Sequence, residues 1–427
     1  MLNATKLILK SNLRRRFSST SRLIDDEGDW RYSSEWWTRK EDSRTVFSQV
    51  SDKGNGVVSV VSHPSSKPDI VYWGRMEEWL KQRYTHFYPG ERRNERFRVA
   101  GYQWRTLHFG DDTRESTAKV MFAYKESDPD SLYLMQQARC LAVPYVKSMI
   151  STGLTTLAYC NFDLQSAILG VKKMKVLCIG HGGGSIPLFL ASKFLGAEVY
   201  TVDIDPAVVS ASIQAMGFPS VSIVKTSGKH VCSQQHLFDG LFWKGVRERL
   251  TLYELDAEEF ILEYNNLYDI VFIDAYDGYD IYPRNLWDPS FPFLKALSKK
   301  VHPKHGTVVV NLHADGDLDV DSSNPSPNSL PMGRYVSEIA NAFKQTLIDN
   351  RHSQISHNRC PGIAYTVHVP WVCNTSLVVS RCSGNLNGSS DNIILNSLLS
   401  KSLQVDNILK MPFSCLPYVK RGFCVVE

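Results

Sequence analysis

The stretch KVLCIGHGGGSIPLFLASKFLGAEVYTVDIDPAVVSAS, residues 175–212, decides the fold. A continuous apolar run ending at Ile179 closes on Gly180-His181-Gly182-Gly183-Gly184-Ser185 and opens into a helical pattern near Pro187, and a second run ends on Asp203. Glycines let a backbone turn tightly and approach a ligand closely, and the helix N-terminus behind them supplies amide donors. On its own a G-x-G turn is a weak signal that a dinucleotide fold shares. Asp203 adds to it, standing about 23 residues past Gly180, where a carboxylate reaches the two hydroxyls of a ribose.

Outward from this stretch the alternation of strand and helix continues from 174 to 382. The strands expected are 175–180, 198–204, 249–255, 268–274, 306–313 and a closing pair within 364–381, with helical runs such as PAVVSASIQAMG and GRYVSEIANAFKQTLI between them. Near-continuous apolar strands alternating with helices predict a parallel sheet covered on both faces, a doubly wound α/β domain, with an antiparallel edge near Pro370. Ligands bind such sheets at the carboxyl ends of the strands. Here four consecutive ends carry the glycine turn, Asp203, Asp256 and Asp274-x-x-Asp277. A nicotinamide enzyme accounts for the first two only, whereas a cationic sulfonium cofactor with an amine acceptor uses all four. Any one Asp after a strand also serves as a helix cap; four at one end of a sheet argue for a site.

The segments GHGGGSIPLFLASKF, VYTVDIDPAVVSAS, LDAEEF and YDIVFIDAYDGYDIYP resemble the class I S-adenosylmethionine-dependent methyltransferase superfamily in its spermidine-synthase-like branch. YQWRTLHFG with SDPDSLYLMQQARCLAVPYVKSMI is similar to the β-domain end and bridging helix of that branch. The resemblance implies a Rossmann-like class I methyltransferase fold behind a small N-terminal β domain, and a cofactor that is S-adenosyl-L-methionine or its decarboxylated form. It further implies that Gly180, Gly182 and Gly184 cradle the cofactor, that Asp203 takes the ribose, and that Asp256, beside Ala257, takes the adenine. Asp274 and Asp277 would face the acceptor amine, Asp274 as the group that accepts or holds its proton. Tyr276, Tyr279 and Tyr282 either lend ring faces to a cation or pack the loop.

The departures carry information too. Aminopropyltransferases of that branch place an Asp in the glycine turn where this chain has Gly183; the β domain lacks their Gln- and Tyr-containing polyamine signature, and Gly278 replaces a Pro. GGGSIPLFL with DIDP also resembles the methyltransferase-like proteins that methylate elongation factor 1A. Methyl transfer is therefore expected ahead of aminopropyl transfer, with a catalytically silent scaffold as the remaining alternative. Expected partners are a small amine or protein acceptor and a second copy of the chain joined through the N-terminal β domain, with neither membrane nor nucleic acid.

The chain has 427 residues, 43% apolar and 22% charged, a globular composition that excludes a largely disordered or fibrous chain. No apolar run approaches 18 residues, so a soluble protein is predicted. The net charge of +4 is set by Met1–Arg22, which holds six basic residues and no acid; without those six charges the remainder carries −2. A cationic, amphipathic, Ser/Thr-rich leader with Arg16-Phe17-Ser18-Ser19 predicts mitochondrial import, chloroplast import or a plain basic tail being the alternatives. Nine cysteines with no C-x-x-C pair, and no His read at ligand spacing, predict reduced thiols and no metal.

Boundaries are expected at 1–22 for the leader, 23–44 for a linker docked by tryptophans, 45–128 for the β domain and 129–170 for bridging helices. The Rossmann-like domain is expected over 171–385 and a C-terminal extension over 386–427. Ile70-Val71-Tyr72 reads as a β run, and 219–248 as an insertion that is either a lid or partner surface or an added surface element. DGDLDVD at 315–321 fails the calcium-loop pattern at Val320 and Ser326, and the basic-aromatic run 81–98 reads as a solvated face.

Overall fold

The computed structural model describes residues 26–38, 41–90, 95–110, 113–225, 230–232, 239–278, 281–313, 334–349, 362–382 and 391–426. The basic leader, the stretch 315–321 and Tyr279 lie outside them.

Two sheets organise the chain. The first is an antiparallel meander of β1 (Arg44–Val50), β2 (Val57–Pro64), β3 (Phe97–Phe109), β4 (Ser116–Lys125) and β5 (Asp128–Leu141), paired in sequence order. Gly54 and Gly56, at φ 93° and 64°, turn β1 into β2. Two expectations are corrected here. Residues 129–141, read as the start of a bridging helix, form β5, with Met135 opposite Met121 and Tyr133 opposite Ala123. The three-residue spacing of Leu132, Met135, Ala138 and Leu141 is incidental, and Leu132 is half exposed; pairing with the second edge of β4 overrides a local period. Ile70-Val71-Tyr72 is a 3-10 turn leading into helix α1 (Trp73–Phe87), because β2 and β3 already pair with each other and leave no edge for a strand between them. Ahead of β1, Trp36 is fully buried on Trp104, with ring centroids 4.2 Å apart, so the segment does dock by a tryptophan.

The bridge is helical from Pro144, where proline sits at the first turn with its missing N–H unneeded: α2 (Pro144–Tyr159), then α3 (Leu164–Ile168). Gly153 lets α2 lie close on the second sheet, since a Cβ there would come within 2.8 Å of Ile270 Cδ1.

The second sheet holds β6 (Met174–Ile179), β7 (Ala197–Asp203), β8 (Ser222–Lys225), β9 (His230–Cys232), β10 (Leu250–Glu254), β11 (Ile270–Ile273), β12 (Thr307–His313), β13 (Ile363–His368), β14 (Asn374–Ser380) and β15 (Cys424–Val425). Their order across the sheet is β15-β13-β14-β12-β11-β6-β7-β10-β8-β9. The run from β12 through β11, β6, β7 and β10 to β8 is parallel, and β14 is antiparallel to both neighbours, the antiparallel edge expected near Pro370. Helices α4 (Ser185–Lys193), α5 (Pro206–Ala215), α6 (Asp239–Trp243), α7 (Ala257–Glu263), α8 (Pro292–Lys300) and α9 (Arg334–Lys344) follow or join the strands. This is a doubly wound, Rossmann-like α/β fold with an N-terminal antiparallel sheet.

Strand order runs outward from β6 through β7 to β10 and then reverses to β11 on the other side of β6. The carboxyl ends of β6 and β11 therefore flank the topological switch point, where the helices diverge and leave a crevice. Residues 219–248 contribute β8, β9 and α6, with Leu241, Phe242 and Trp243 buried in the large core, so this segment widens the sheet. The C-terminal extension is likewise integral: α10 (Asp391–Leu409) and α11 (Leu416–Lys420) pack on α2, and β15 pairs with β13. No helix among the described residues is long and apolar enough to cross a membrane. A separate apolar cluster joins the two sheets, with Val58, Val60, Leu107 and Phe109 of the meander against Val208, Ala211 and Met216 of the α5 region.

Candidate active site

At the switch point lies a cavity of 340 Å³. One wall is the glycine turn after β6. Gly180 holds φ 85°, and a Cβ on it would sit 2.0 Å from the Asp274 carbonyl oxygen, so only glycine lets the ends of β6 and β11 meet. Gly182 (φ 50°) lines the cavity, and Gly184 (φ 74°) caps α4. Gly183 is closely packed: a Cβ there would lie 2.6 Å from Met216 Cε and 2.8 Å from Ser116 Oγ, the latter a residue of the cavity wall. His181 also lines the cavity, and its ring bonds Ser212 at 2.8 Å and meets Phe218 edge-on at 4.7 Å. Burial pushes its pKa down to about 3, which keeps it neutral.

Asp203 ends β7 and lines the same cavity. Its carboxylate accepts the His181 N–H (2.8 Å) on one oxygen and the Asp205 N–H (2.9 Å) on the other. The Gly182 N–H is a third backbone donor to the same carboxylate. Burial outweighs these bonds and raises its pKa to about 6. Asp205, fully buried, caps α5 through the Ala207 N–H (2.8 Å) and accepts from Ser51 Oγ (2.6 Å) and Asn55 Nδ2 (2.8 Å), tying the β1–β2 turn to this edge of the cavity.

Asp256 precedes α7 and caps it, accepting the Glu258 and Glu259 N–H groups at 2.7 and 3.3 Å through Oδ1. The capping role and the cavity role coexist, because Asp256 and Ala257 both line the cavity. Asp274 follows β11 and accepts from Asn311 Nδ2 at 2.9 Å, and the Tyr145 hydroxyl, which donates to the Glu115 carbonyl at 3.2 Å, lies beside it. Burial raises its pKa and these two neighbours oppose the rise. Asn311 is itself fixed by Asn374 Nδ2, 3.1 Å from its Oδ1. Asp277 lines the mouth and accepts the Ile281 N–H at 2.9 Å. The Tyr276 hydroxyl donates to the Asn311 carbonyl (2.9 Å) and accepts the His313 N–H (3.0 Å), and its ring stacks on His313 at 4.3 Å, leaving it a rigid part of the wall. Tyr282 is buried behind Tyr276 as loop packing, with centroids 5.8 Å apart.

Gly180, Gly182, Asp203, Asp256, Ala257, Asp274, Tyr276 and Asp277 thus line one cavity, with Gly184 just behind it. Sequence reasoning missed what the first sheet and α2 add: Lys53, Asn55, Phe109, Glu115, Ser116 and Tyr145 close the cavity from the far side. It also missed Asn311 and Asn374, which orient Asp274. Among the described residues that line the cavity, five carry a carboxylate (Glu115, Asp203, Asp256, Asp274, Asp277) and one an ammonium, Lys53. Away from the cavity, the fold sets His302 and His305, separated by Pro303 and Lys304, beside Asp269.

No protein-family model matches this sequence, and no curated protein sequence does. Solved structures of similar fold include human methyltransferase-like protein 13 in complex with SAH, at 17% identity and TM-score 0.40, covering 63% of this chain and 93% of that one. A probable spermidine synthase from Corynebacterium glutamicum has 13% identity and TM-score 0.38, covering 76% and 94%. A spermidine synthase in complex with the transition-state analogue AdoDATO has 10% identity and TM-score 0.36, covering 69% and 85%. The structural neighbours are thus methyltransferases and spermidine synthases, at distant likeness.

Proposed function

We propose that this protein is an S-adenosylmethionine-dependent group transferase that moves a methyl group to an amine, on a small molecule or a protein. The observation that carries the reading is the excess of carboxylates around one cavity at the switch point. That surface repels the pyrophosphate of a dinucleotide and attracts a sulfonium and an ammonium. On this reading the glycine turn takes a nucleoside close to the backbone, the Asp203 carboxylate takes the ribose hydroxyls, and Asp256 accepts from the adenine amino group.

When bound, the cofactor supplies a carbon on a positively charged sulfur, open to in-line displacement. The chain's residues supply position and proton handling. Asp274, raised by burial and steadied by Asn311, attracts the acceptor as its ammonium and takes the proton that the amine must lose before its lone pair can attack. Such a positioned base contributes about 10²–10⁴-fold, and holding the two reactants in line lowers the barrier by up to about 7–11 kcal/mol. Positioning dominates. Asp277 at the mouth holds the rest of the acceptor.

Methyl transfer is favoured over aminopropyl transfer because the glycine turn carries no acid to repel the carboxylate of the intact cofactor, and an Asp at Gly183 would have to displace Met216. A specific observation keeps aminopropyl transfer as a second reading: Glu115 brings a carboxylate to the same cavity from the first sheet. Calorimetry separates them. Intact S-adenosylmethionine should bind the more tightly, and a tenfold preference for the decarboxylated form, ~1.4 kcal/mol, reverses the assignment. No binding of either form removes both readings. The acid-free leader supports import into mitochondria, with chloroplasts the alternative; residues 1–22 fused to a fluorescent reporter test this by where the reporter accumulates.

A further inference from the structure

Asp269 and Asp274 stand at the two ends of β11, and the end away from the cavity carries its own constellation. Asp269 Oδ1 lies 2.6 Å from His305 Nε2, the His302 and His305 rings stack with centroids 3.7 Å apart, and one ligand atom from each of the three residues lies within 4.8 Å of the others. It is the one group of this kind among the described residues.

We propose that Asp269, His302 and His305 form a binding site for a borderline-soft transition-metal dication of the zinc, cobalt or nickel class. Two imidazole nitrogens and one carboxylate oxygen are the donor set such ions prefer, and they are too few oxygens for calcium or magnesium. Three protein donors leave a fourth position to water. The frame is already held. The second Asp269 oxygen accepts the Lys175 N–H at 2.8 Å, which orients the first as outer hydrogen bonds orient metal ligands. His302 N–H donates to the Tyr268 carbonyl (2.9 Å), Gly306 N–H to the His302 carbonyl (3.0 Å), and Thr307 N–H to the Asp269 carbonyl (3.0 Å), fixing the backbone on both sides. Binding requires the two rings to rotate out of their stack and His305 to adopt the tautomer whose Nε2 lone pair is free, so that nitrogen and carboxylate face the ion in place of each other. Lys172 and Lys304 lie close enough to act on His302, which sets the affinity below that of a closed structural zinc site.

The ion would sit at the far end of a strand from Asp274, roughly 16 Å away at ~3.3 Å per residue, and takes no part in group transfer. Its effect is to clamp the segments where β11 and β12 begin.

The test is titration of the metal-free full chain with Co(II), read by visible absorption, alongside His302→Ala and His305→Gln. His302→Ala leaves the Asp269–His305 pair intact, so it remains informative if His305→Gln fails to fold. The expected result is one equivalent bound with the intense visible band of four-coordinate cobalt, a raised melting temperature, and affinity at least about tenfold weaker in His302→Ala. Absence of uptake by the parent chain, or undiminished uptake by His302→Ala, overturns the proposal; the second outcome would place the ion elsewhere on the protein.

Discussion

The two halves of the cavity are built differently. The half around β6 and β7 is made by backbone: positive-φ glycines, a carboxylate held by the His181 and Asp205 N–H groups, and a helix N-terminus. The half around β11 and β12 is made by side chains reaching in from distant segments: Tyr145 from α2 and Asn311 from β12 stand against Asp274, and Asn374 from β14 holds Asn311. On the proposed function, the nucleoside would be gripped by a surface that few substitutions can alter, and the acceptor would meet a surface that can be retuned one side chain at a time.

The largest test of this division is Asp274→Asn, which keeps shape and most hydrogen bonding but removes charge and basicity. Turnover should fall by about 10²–10⁴-fold in a methyl-transfer assay while calorimetric cofactor affinity stays close to the parent value. Full activity in a stable Asp274→Asn protein would break the comparison on the acceptor side.

Asp203→Ala should do the reverse, weakening the cofactor by about 1.5–3 kcal/mol per charged hydrogen bond lost. The pH dependence follows from the sign of the shift. Burial raises the Asp203 pKa from the usual carboxylate range to about 6, so the folded apo protein holds this proton more tightly than the unfolded chain. Its stability therefore declines as pH rises from about 4 through 6. Ribose hydroxyls donate to the ionised form, so cofactor affinity should rise over the same interval, by up to tenfold per pH unit, and Asp203→Asn should flatten that rise. A pH-independent affinity in the parent would show that Asp203 does not meet the ligand.

Asn311→Ala should act through Asp274 and cost about tenfold in kcat. Because the Asn311 bond holds the Asp274 pKa down against burial, its loss should move the acid limb of the pH–rate profile upward, a shift that a purely structural role would not produce. The smallest effect belongs to the helix cap: Asp256→Ala should lower stability by about 0.5–2 kcal/mol in thermal melts, whereas Asp256→Asn should restore stability without restoring cofactor affinity.

The same division explains what was legible in the sequence. A turn that tolerates only glycine, and a strand that must end on an acid, leave local marks, so Gly180, Gly182, Gly184, Asp203, Asp256 and Asp274 could be placed from residues 175–277 alone. Tyr145, Asn311 and Asn374 leave none, because an Asn at the end of an apolar strand reads the same whether it faces solvent or a buried carboxylate. The helical reading of 129–141 failed for a related reason: local period favoured a helix, and the open edge of β4, a nonlocal fact, decided for a strand. His302 and His305 were adjacent enough to notice, but Asp269 lies more than thirty residues upstream, and only the pairing of β11 with β12 brings the three together.

Asp205 has a consequence for how such a molecule can be recombined. Its buried carboxylate is satisfied half by the helix it caps and half by Ser51 and Asn55 of the meander. Transplanting the ten-stranded sheet under a different lid would strand a negative charge in an apolar seam. A chimaera must therefore carry the β1–β2 turn along with α5, or exchange Asp205 for a cap that asks nothing of its neighbour. The unit of inheritance here crosses the boundary between the two sheets.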